Sequence, residues 1–322
     1  MVDMRAYRFD GKGTAEQIEL PGGVADAPEK GFAWVHMLGS NDEVLPWLQK
    51  AGLDPLEIEA LTADETRPRC TIHENVALMN LRGVNLSPGA EPEDMVSIRF
   101  YLSQHFVISV QRRRLYAVHD LFAEIESGSA AESPGELAAR IALRLADRAE
   151  PVVSSLNERV DELETQALDD QDVPDRSELA DVRRMAIVLR RYMAPQRDAL
   201  TTLEIENYGW LHGKGGRARV REAAERMTRL AEELDALRDR AQVVRDQIAD
   251  IRAEAMNRQM LILSVVAALF LPLGLITGLL GINVGGVPGA NAPWAFWAVC
   301  GVLVVLVGGQ FWFFRKIGMI GK

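Results

Sequence analysis

From Gln259 to Phe314 the chain has no Asp, Glu, Lys or Arg, although 25% of its 322 residues are charged. A stretch of that length without charge excludes a solvated surface and calls for an apolar surrounding. Cysteine is almost absent. Cys70 and Cys300 stand far apart in unlike contexts, which excludes a disulfide framework and fits a head kept in a reducing compartment. The first residues, MVDMRAYRFDGKG, lack the apolar core of a secretory signal, so the head is expected to stay in the cytoplasm. Proline and glycine are missing from Arg217 to Leu271, which allows one long helix. A net charge of −10 argues against a nucleic-acid partner. No nucleophile–base–orienter set stands out, so an enzyme reading has little support and no cofactor is expected to be required.

The uncharged region divides into two spans. Met260–Gly281 (MLILSVVAALFLPLGLITGLLG) holds roughly 22 residues and covers about 33 Å, enough for a hydrocarbon core of about 30 Å. Trp294–Phe314 is of similar length, with Trp294, Trp297 and Trp312 at its ends, where aromatic rings prefer the headgroup layer. Arg252 and Arg258 precede the first span and Arg315, Lys316 and Lys322 follow the second, whereas the segment Ile282–Pro293 between them has no charge. The positive-inside rule then places both termini in the cytoplasm of a multi-pass protein of the plasma (bacterial inner) membrane.

Upstream, Val220, Ala223, Met227, Leu230, Leu234, Leu237, Ala241, Val244, Ile248, Ile251 and Ala255 alternate spacings of three and four over about five heptads. With the first span this predicts a rod of about 96 Å from Ala218 to Gly281. The seam needs partner helices, either from 136–168 and 177–207 of the same chain or from other copies around the rod. A coiled coil that merely holds a membrane-anchored oligomer together fits the periodicity equally.

The head reads as α+β. Strand-like runs occupy Phe32–Met37, Val76–Val84, Met95–Leu102 and Phe106–Val110, with helices at 42–52 and 54–64 among them. Pro134-Gly135 opens a helical half, Asp169–Asp175 is a turn between long helices, and Tyr208–Gly216 is a hinge. The expected organisation is a cytoplasmic head 1–134, long helices 135–217, a stalk 218–259 and a first span 260–281. An external loop 282–293, a second span 294–314 and a tail 315–322 complete it. Gly213-Lys214-Gly215-Gly216 lacks the first glycine and the hydroxyl of a phosphate loop. Arg112–Arg114 reads as a solvated turn, and Asp161, Glu162 and Glu164 as a wet helix face. Cys70 and His73 have a spacing that a metal site uses, but no further ligand lies near them in sequence.

At the end of the first span the chain reads FLPLGLITGLLGINVGGVPG, residues 270–289. This resembles the CorA-type divalent-cation transporter superfamily, whose members end the first span in Gly-Met-Asn. The triplet here, Gly281-Ile282-Asn283, is similar to that of the ZntB-like zinc-transporter branch. The segments Glu65–Arg69 (ETRPR), Leu81–Leu86 (LRGVNL), Pro92–Val96 (PEDMV) and Met256–Arg258 (MNR) resemble the same branch. The resemblance implies a homopentameric funnel with an αβα head, in which five copies of the first span line a pore for Zn2+ or, alternatively, Mg2+, Co2+ or Ni2+. By position, Asn283 becomes an outer selectivity ring, and Asn257, Met260, Leu263, Ala267, Leu271 and Gly274 become the pore face. The chain departs from the pattern at Gly274, where many relatives carry a hydroxyl, and at Ile282. The branch is also linked to protons, yet neither span holds a carboxylate or histidine, so a relay within the membrane is not expected. The alternative from another class is a membrane-tethered scaffold without a pore.

Overall fold

The computed structural model describes residues 2–64, 67–167, 176–213, 215–282, 284, 285, 287, 289 and 291–318. The chain divides into two compact units between Arg245 and Asp246. In the first, β1 (Asp3–Phe9), β2 (Ala15–Ile18) and β3 (Phe32–Leu38) precede α1 (Asn41–Lys50) and α2 (Pro55–Thr62). The strands β4 (Arg69–His73), β5 (Val76–Gly83), β6 (Val96–Leu102) and β7 (Phe106–Gln111) follow, and then α3 (Tyr116–Glu126), α4 (Pro134–Ala167), α5 (Arg176–Ile205) and α6 (Gly209–His212). The helix α7 (Gly216–Leu280) begins in the first unit and ends in the second, which also contains α8 (Ala295–Lys316).

The seven strands form one sheet in the order β2-β1-β3-β7-β6-β5-β4, antiparallel throughout except for the parallel pair β3–β7. At the centre, β3 and β7 are buried on both faces, which is why FAWVHML and FVISVQ read as near-continuous apolar runs. Met37, Ile108 and Val110 point to one face and pack with Val44 and Leu48 of α1 and Leu61 of α2. Trp34, His36 and Ser109 point to the other, under Phe122 of α3. Helices on both faces make the αβα layering that the resemblance implied.

Local chemistry sets the element ends. Asp54 caps α2 by accepting from the Glu57 N–H at 2.8 Å, Glu57 returns the bond to the Asp54 N–H at 2.9 Å, and Pro55 opens the first turn. At the other end of α2, Arg99 Nη2 donates to the Ala63 carbonyl at 2.6 Å and Arg112 to the Thr62 carbonyl at 3.0 Å, cations meeting the negative pole of the helix. Arg112 also reaches Asp64, and Arg113 is paired with Asp94. The turn at 112–114 is solvated, as its charge suggested, with Arg113 and Arg114 exposed, and ion pairs hold two of its three arginines. Gly135 has to be glycine because a Cβ would lie 2.1 Å from the Leu211 carbonyl, where α6 crosses the start of α4.

Of the two routes to cover the α7 seam, the chain's own helices provide one. Val220, Met227, Leu234, Leu237 and Val244 are buried, as are Leu156, Val160 and Leu163 of α4 and Leu179, Leu189 and Met193 of α5. Ion pairs fix the register: Arg226 with Asp147, Arg190 with Asp235 at 2.8 Å, and Arg221 with Glu204 at 2.7 Å. Asp161 and Glu164 both hold Arg240. This face of α4 is wet, as expected, and its acids also tie α4 to α7. The seam loses its cover further on, since Ile248 is buried, Ile251 half-buried and Ala255 exposed. The turn expected at 169–175 lies outside the described residues.

Inside the α3 face, Trp34 Nε1 donates to Ser109 Oγ at 2.8 Å, and Ser109 Oγ lies 2.7 Å from His36 Nδ1. Burial, helped by the Arg5 charge, pushes the imidazole pKa down to about 3. A depressed histidine is neutral in the folded head while its unfolded counterpart takes a proton below about pH 6.5. Stability is therefore full above that value and falls with pH until about 3. We expect the head to lose about 1.4 kcal/mol per pH unit from this group between pH 6 and 5. Urea unfolding of wild type and His36→Gln should show a shallower pH slope in the variant by about one proton.

Candidate ion-pathway face of the membrane hairpin

The second unit contains the end of α7 and α8. Both helices are long and apolar enough to cross a bilayer, and none of either apolar window is buried within the chain. A soluble core hairpin would be covered; this one presents Leu263, Leu271, Val304 and Val305 at 70% exposure or more. Only lipid, or further copies of the chain, offers a surrounding of matching polarity.

The two helices meet along matched rows. On α8 the half-buried residues are Ala295, Val299, Leu303, Leu306, Gln310 and Phe314, with Cys300 beside them, recurring at helical spacing. On α7 they are Val265, Leu269, Pro272, Leu273 and Ile276. A hydrogen bond of 3.1 Å from Gln310 Nε2 to the Ala268 carbonyl joins the helices.

Advancing about 100° per residue, Asn257, Met260, Leu263, Ala267, Leu271 and Gly274 fall within an arc of roughly 120°. That arc is centred almost opposite the half-buried row, and all six residues are exposed. The fold therefore brings the expected pore-face residues onto one uncharged surface that α8 leaves free. Ser264 and Gly278 lie on the same arc and are equally exposed. Sequence reasoning passed over Ser264, although its place one heptad from both Asn257 and Leu271 is a readable signal. Large apolar side chains, Met260 and Leu263, occupy the end near Asn257, and glycines, Gly274 and Gly278, the other.

Leu280 is the last helical residue. The Gly281 N–H bonds back to the Thr277 carbonyl at 3.0 Å and the Gly278 carbonyl at 3.2 Å, and Ile282 follows in a bend. The triplet thus starts at a helix C-terminus, where carbonyl dipoles give a partial negative charge that favours cations. Asn283 lies outside the described residues.

Elsewhere the chosen residues do not converge. Cys70 and His73 are three apart on β4, so strand alternation turns them to opposite faces, and they do not form the pair that their spacing offered. His73 Nε2 lies 4.0 Å from Asp54 Oδ2 instead. Among the described residues no group of three or more His, Cys, Asp or Glu is placed to hold a metal. Gly213 follows α6 rather than a strand, so it begins no phosphate loop; Lys214 lies outside the described residues. The other quoted segments are structural ties. The Arg67 carbonyl accepts from Asn80, Arg82 stacks over the Tyr192 ring at 4.5 Å, Glu93 meets Arg184 at 3.0 Å and Asp94 pairs with Arg113. Glu65 and Thr66 lie outside the described residues.

An α/β head joined to a two-helix hairpin that ends its first span in Gly-Ile-Asn defines a class of membrane cation transporters. The model of the CorA-like Mg2+ transporter protein family matches residues 29–316, and the chain belongs to that family of divalent-cation transporters. It is similar to the zinc transport protein ZntB of Pectobacterium carotovorum subsp. carotovorum (strain PC1), at 36% identity over 97% of this chain and 94% of that protein. The divalent cation transporter CmaX of Pseudomonas aeruginosa is 38% identical over 90% of this chain and 88% of its own length. The solved structure of full-length CmaX superposes with a TM-score of 0.82 at 36% identity, covering 97% of this chain and 96% of that one.

Burial, with the Glu206 carboxylate nearby, raises the Cys70 thiol to about 12. At pH 8 roughly one molecule in ten thousand is then a thiolate. We expect Cys70 in a Cys300→Ser variant to react with a soluble disulfide reagent far more slowly than a free thiol until denaturant is added. Rapid labelling of the native protein would contradict its placement.

Proposed function

We propose that this protein carries Zn2+ into the cell through a homopentameric pore lined by the uncharged face of α7. The supporting observation is that face itself, a continuous exposed strip from Asn257 to Gly274 opposite the row that meets α8. Five such strips around an axis turn an otherwise unexplained apolar surface inward. In this reading Met260 and Leu263 form a constriction near the cytoplasmic end that closes by dewetting, and Gly281, Ile282 and Asn283 form the outer mouth. A ring of five Asn carboxamide oxygens, set at the negative ends of five helices, offers dipoles to a hydrated dication without the grip of carboxylates, so the ion also leaves. Gly274, where relatives often carry a hydroxyl, exposes backbone instead.

The choice of zinc rests on the similarity to the ZntB protein over nearly the whole chain. The family's Mg2+ description makes Mg2+ the first competitor, with Co2+ and Ni2+ behind it. Direction follows from charge. A dication entering down an inside-negative potential gains ~4.6 kcal/mol per 100 mV, so uptake needs no other energy source. Neither span carries an Asp, Glu or His that would relay protons. Arg252 and Arg258 before the hairpin, and Arg315 and Lys316 after it, set the head and both termini in the cytoplasm of the inner membrane. The stalk is 218–259, the spans are 260–281 and 294–314, and the neutral loop 282–293 faces outward. Exposed stalk acids such as Glu222, Glu225, Asp250 and Glu254 raise the local cation concentration on the inner side.

Liposomes containing the wild type should show zinc flux that Asn283→Ala abolishes and that a pH gradient leaves unchanged. Unaltered flux in that variant would sink the pore assignment, and stronger competition by Mg2+ than by Co2+ or Ni2+ would replace zinc as the cargo. In a background without Cys70 and Cys300, single cysteines at positions 263, 267 and 271 should react with a charged thiol reagent. Those at 265, 269 and 276 should be protected, and the reverse pattern would place the pore on another face.

A further inference from the structure

A proline inside a helix has no N–H to give to the carbonyl four residues before it. For Pro272 that carbonyl belongs to Ala268, in the middle of the first span. Water would supply a donor at a soluble helix, but the hydrocarbon core has none, and an unsatisfied carbonyl there is costly. The second span is otherwise apolar from Ala298 to Phe314, yet it carries one amide, Gln310. Gln310 sits in the half-buried row of α8, and its Nε2 donates to the Ala268 oxygen at 3.1 Å. The bond identifies the end of the amide that makes it, because a carbonyl accepts and only the NH2 end of glutamine donates. The opposite end, Oε1, is buried and has no partner among the described residues. The bond to Ala268 is therefore the polar contact that orients this side chain.

We propose that Gln310 replaces the hydrogen bond that Pro272 removes from α7, and so pins α8 against the first span on the side away from the ion-pathway face. The span keeps a helix weakened at one point, as a proline bend requires, and a neighbouring side chain closes the exposed gap. A leucine at 310 would fill similar space but leave the Ala268 carbonyl bare in lipid. An N–H at 272 would make Gln310 dispensable. The two residues are thus predicted to be energetically coupled, although 38 positions separate them in the chain. Gln310 is a positioning residue, and only its effect on flux rests on the pore reading proposed above.

The test is a double-mutant cycle on the full chain, purified in detergent and reconstituted in liposomes. Gln310→Leu should lower the midpoint of thermal unfolding by several degrees and reduce zinc flux. In a Pro272→Ala background, where residue 272 bonds Ala268 itself, the same substitution should leave the midpoint nearly unchanged and flux at the level of Pro272→Ala alone. Isotope-edited infrared spectra of a labelled Ala268 carbonyl should shift to higher frequency in Gln310→Leu, and stay put when Pro272→Ala is added. If Gln310→Leu fails to fold, the double variant is the decisive protein, because it is predicted to fold. Equal losses in both backgrounds, or a double variant that also fails to fold, would overturn the clasp. Unchanged flux in a Gln310→Leu protein that shows the coupling would overturn its positioning role. A failure of the pore reading is separate: Asn283→Ala would then leave flux intact while the coupling between 272 and 310 persisted.

Discussion

Within hydrocarbon every backbone polar group has to find its partner in the protein, and that demand shapes the membrane half of this chain. Two helices meet it with their own ladders. Pro272 breaks the ladder once, at Ala268, and the single amide of the second span stands at that point. The same demand explains where charge is absent. An ionised side chain within either span would have neither water nor a counter-ion, so the polar character left to the spans is that of amides, hydroxyls and backbone carbonyls. Those dipoles are also the kind of ligand that holds a hydrated dication loosely enough to release it.

The head obeys the opposite solvent. Its central strands β3 and β7 are buried on both faces, and helices cover each side of the sheet. From Val220 to Val244, α7 packs its apolar seam against α4 and α5, with arginines tied across to carboxylates along the edges. Each exposed pair contributes only about 0.2–1 kcal/mol, so packing supplies the stability and the ion pairs set register. One helix thus meets two solvents in succession. Its polar residues face water up to the stalk's end, and its apolar residues face lipid or their own copies beyond it.

What could be read in the sequence follows the strength of the local pattern. The two apolar spans, the a/d seam and the strands β3, β5, β6 and β7 show as long apolar runs or regular spacings, and the ends of those strands, of α7 at Leu280 and of α8 fall within a residue or two of the expected ones. The strands β1, β2 and β4 were missed because they lie toward the two edges of the sheet, where one face is wet. AEQI and RCTIH carry too little apolar character to stand out from a loop. The helix α3 escaped for a different reason. Unlike α1 and α2, which open on capping boxes, it has no side-chain cap at its N-terminus among the described residues. Cys70 and His73 looked like a pair by spacing, but a strand, unlike a helix, turns residues three apart to opposite faces.

By itself the sequence determined that the chain has a charged head and an uncharged hairpin, and where the first apolar helix of that hairpin ends. These follow from composition and charge, properties that residues carry wherever they are placed. Tertiary structure decided which side of α7 meets α8, which helices cover the seam, and which donor serves the carbonyl that Pro272 leaves open. Gln310 and Ala268 are 42 residues apart, and no periodicity links a lone amide to the carbonyl that it serves. Such pairings arise only when two helices fold onto each other and their unsatisfied groups have to meet.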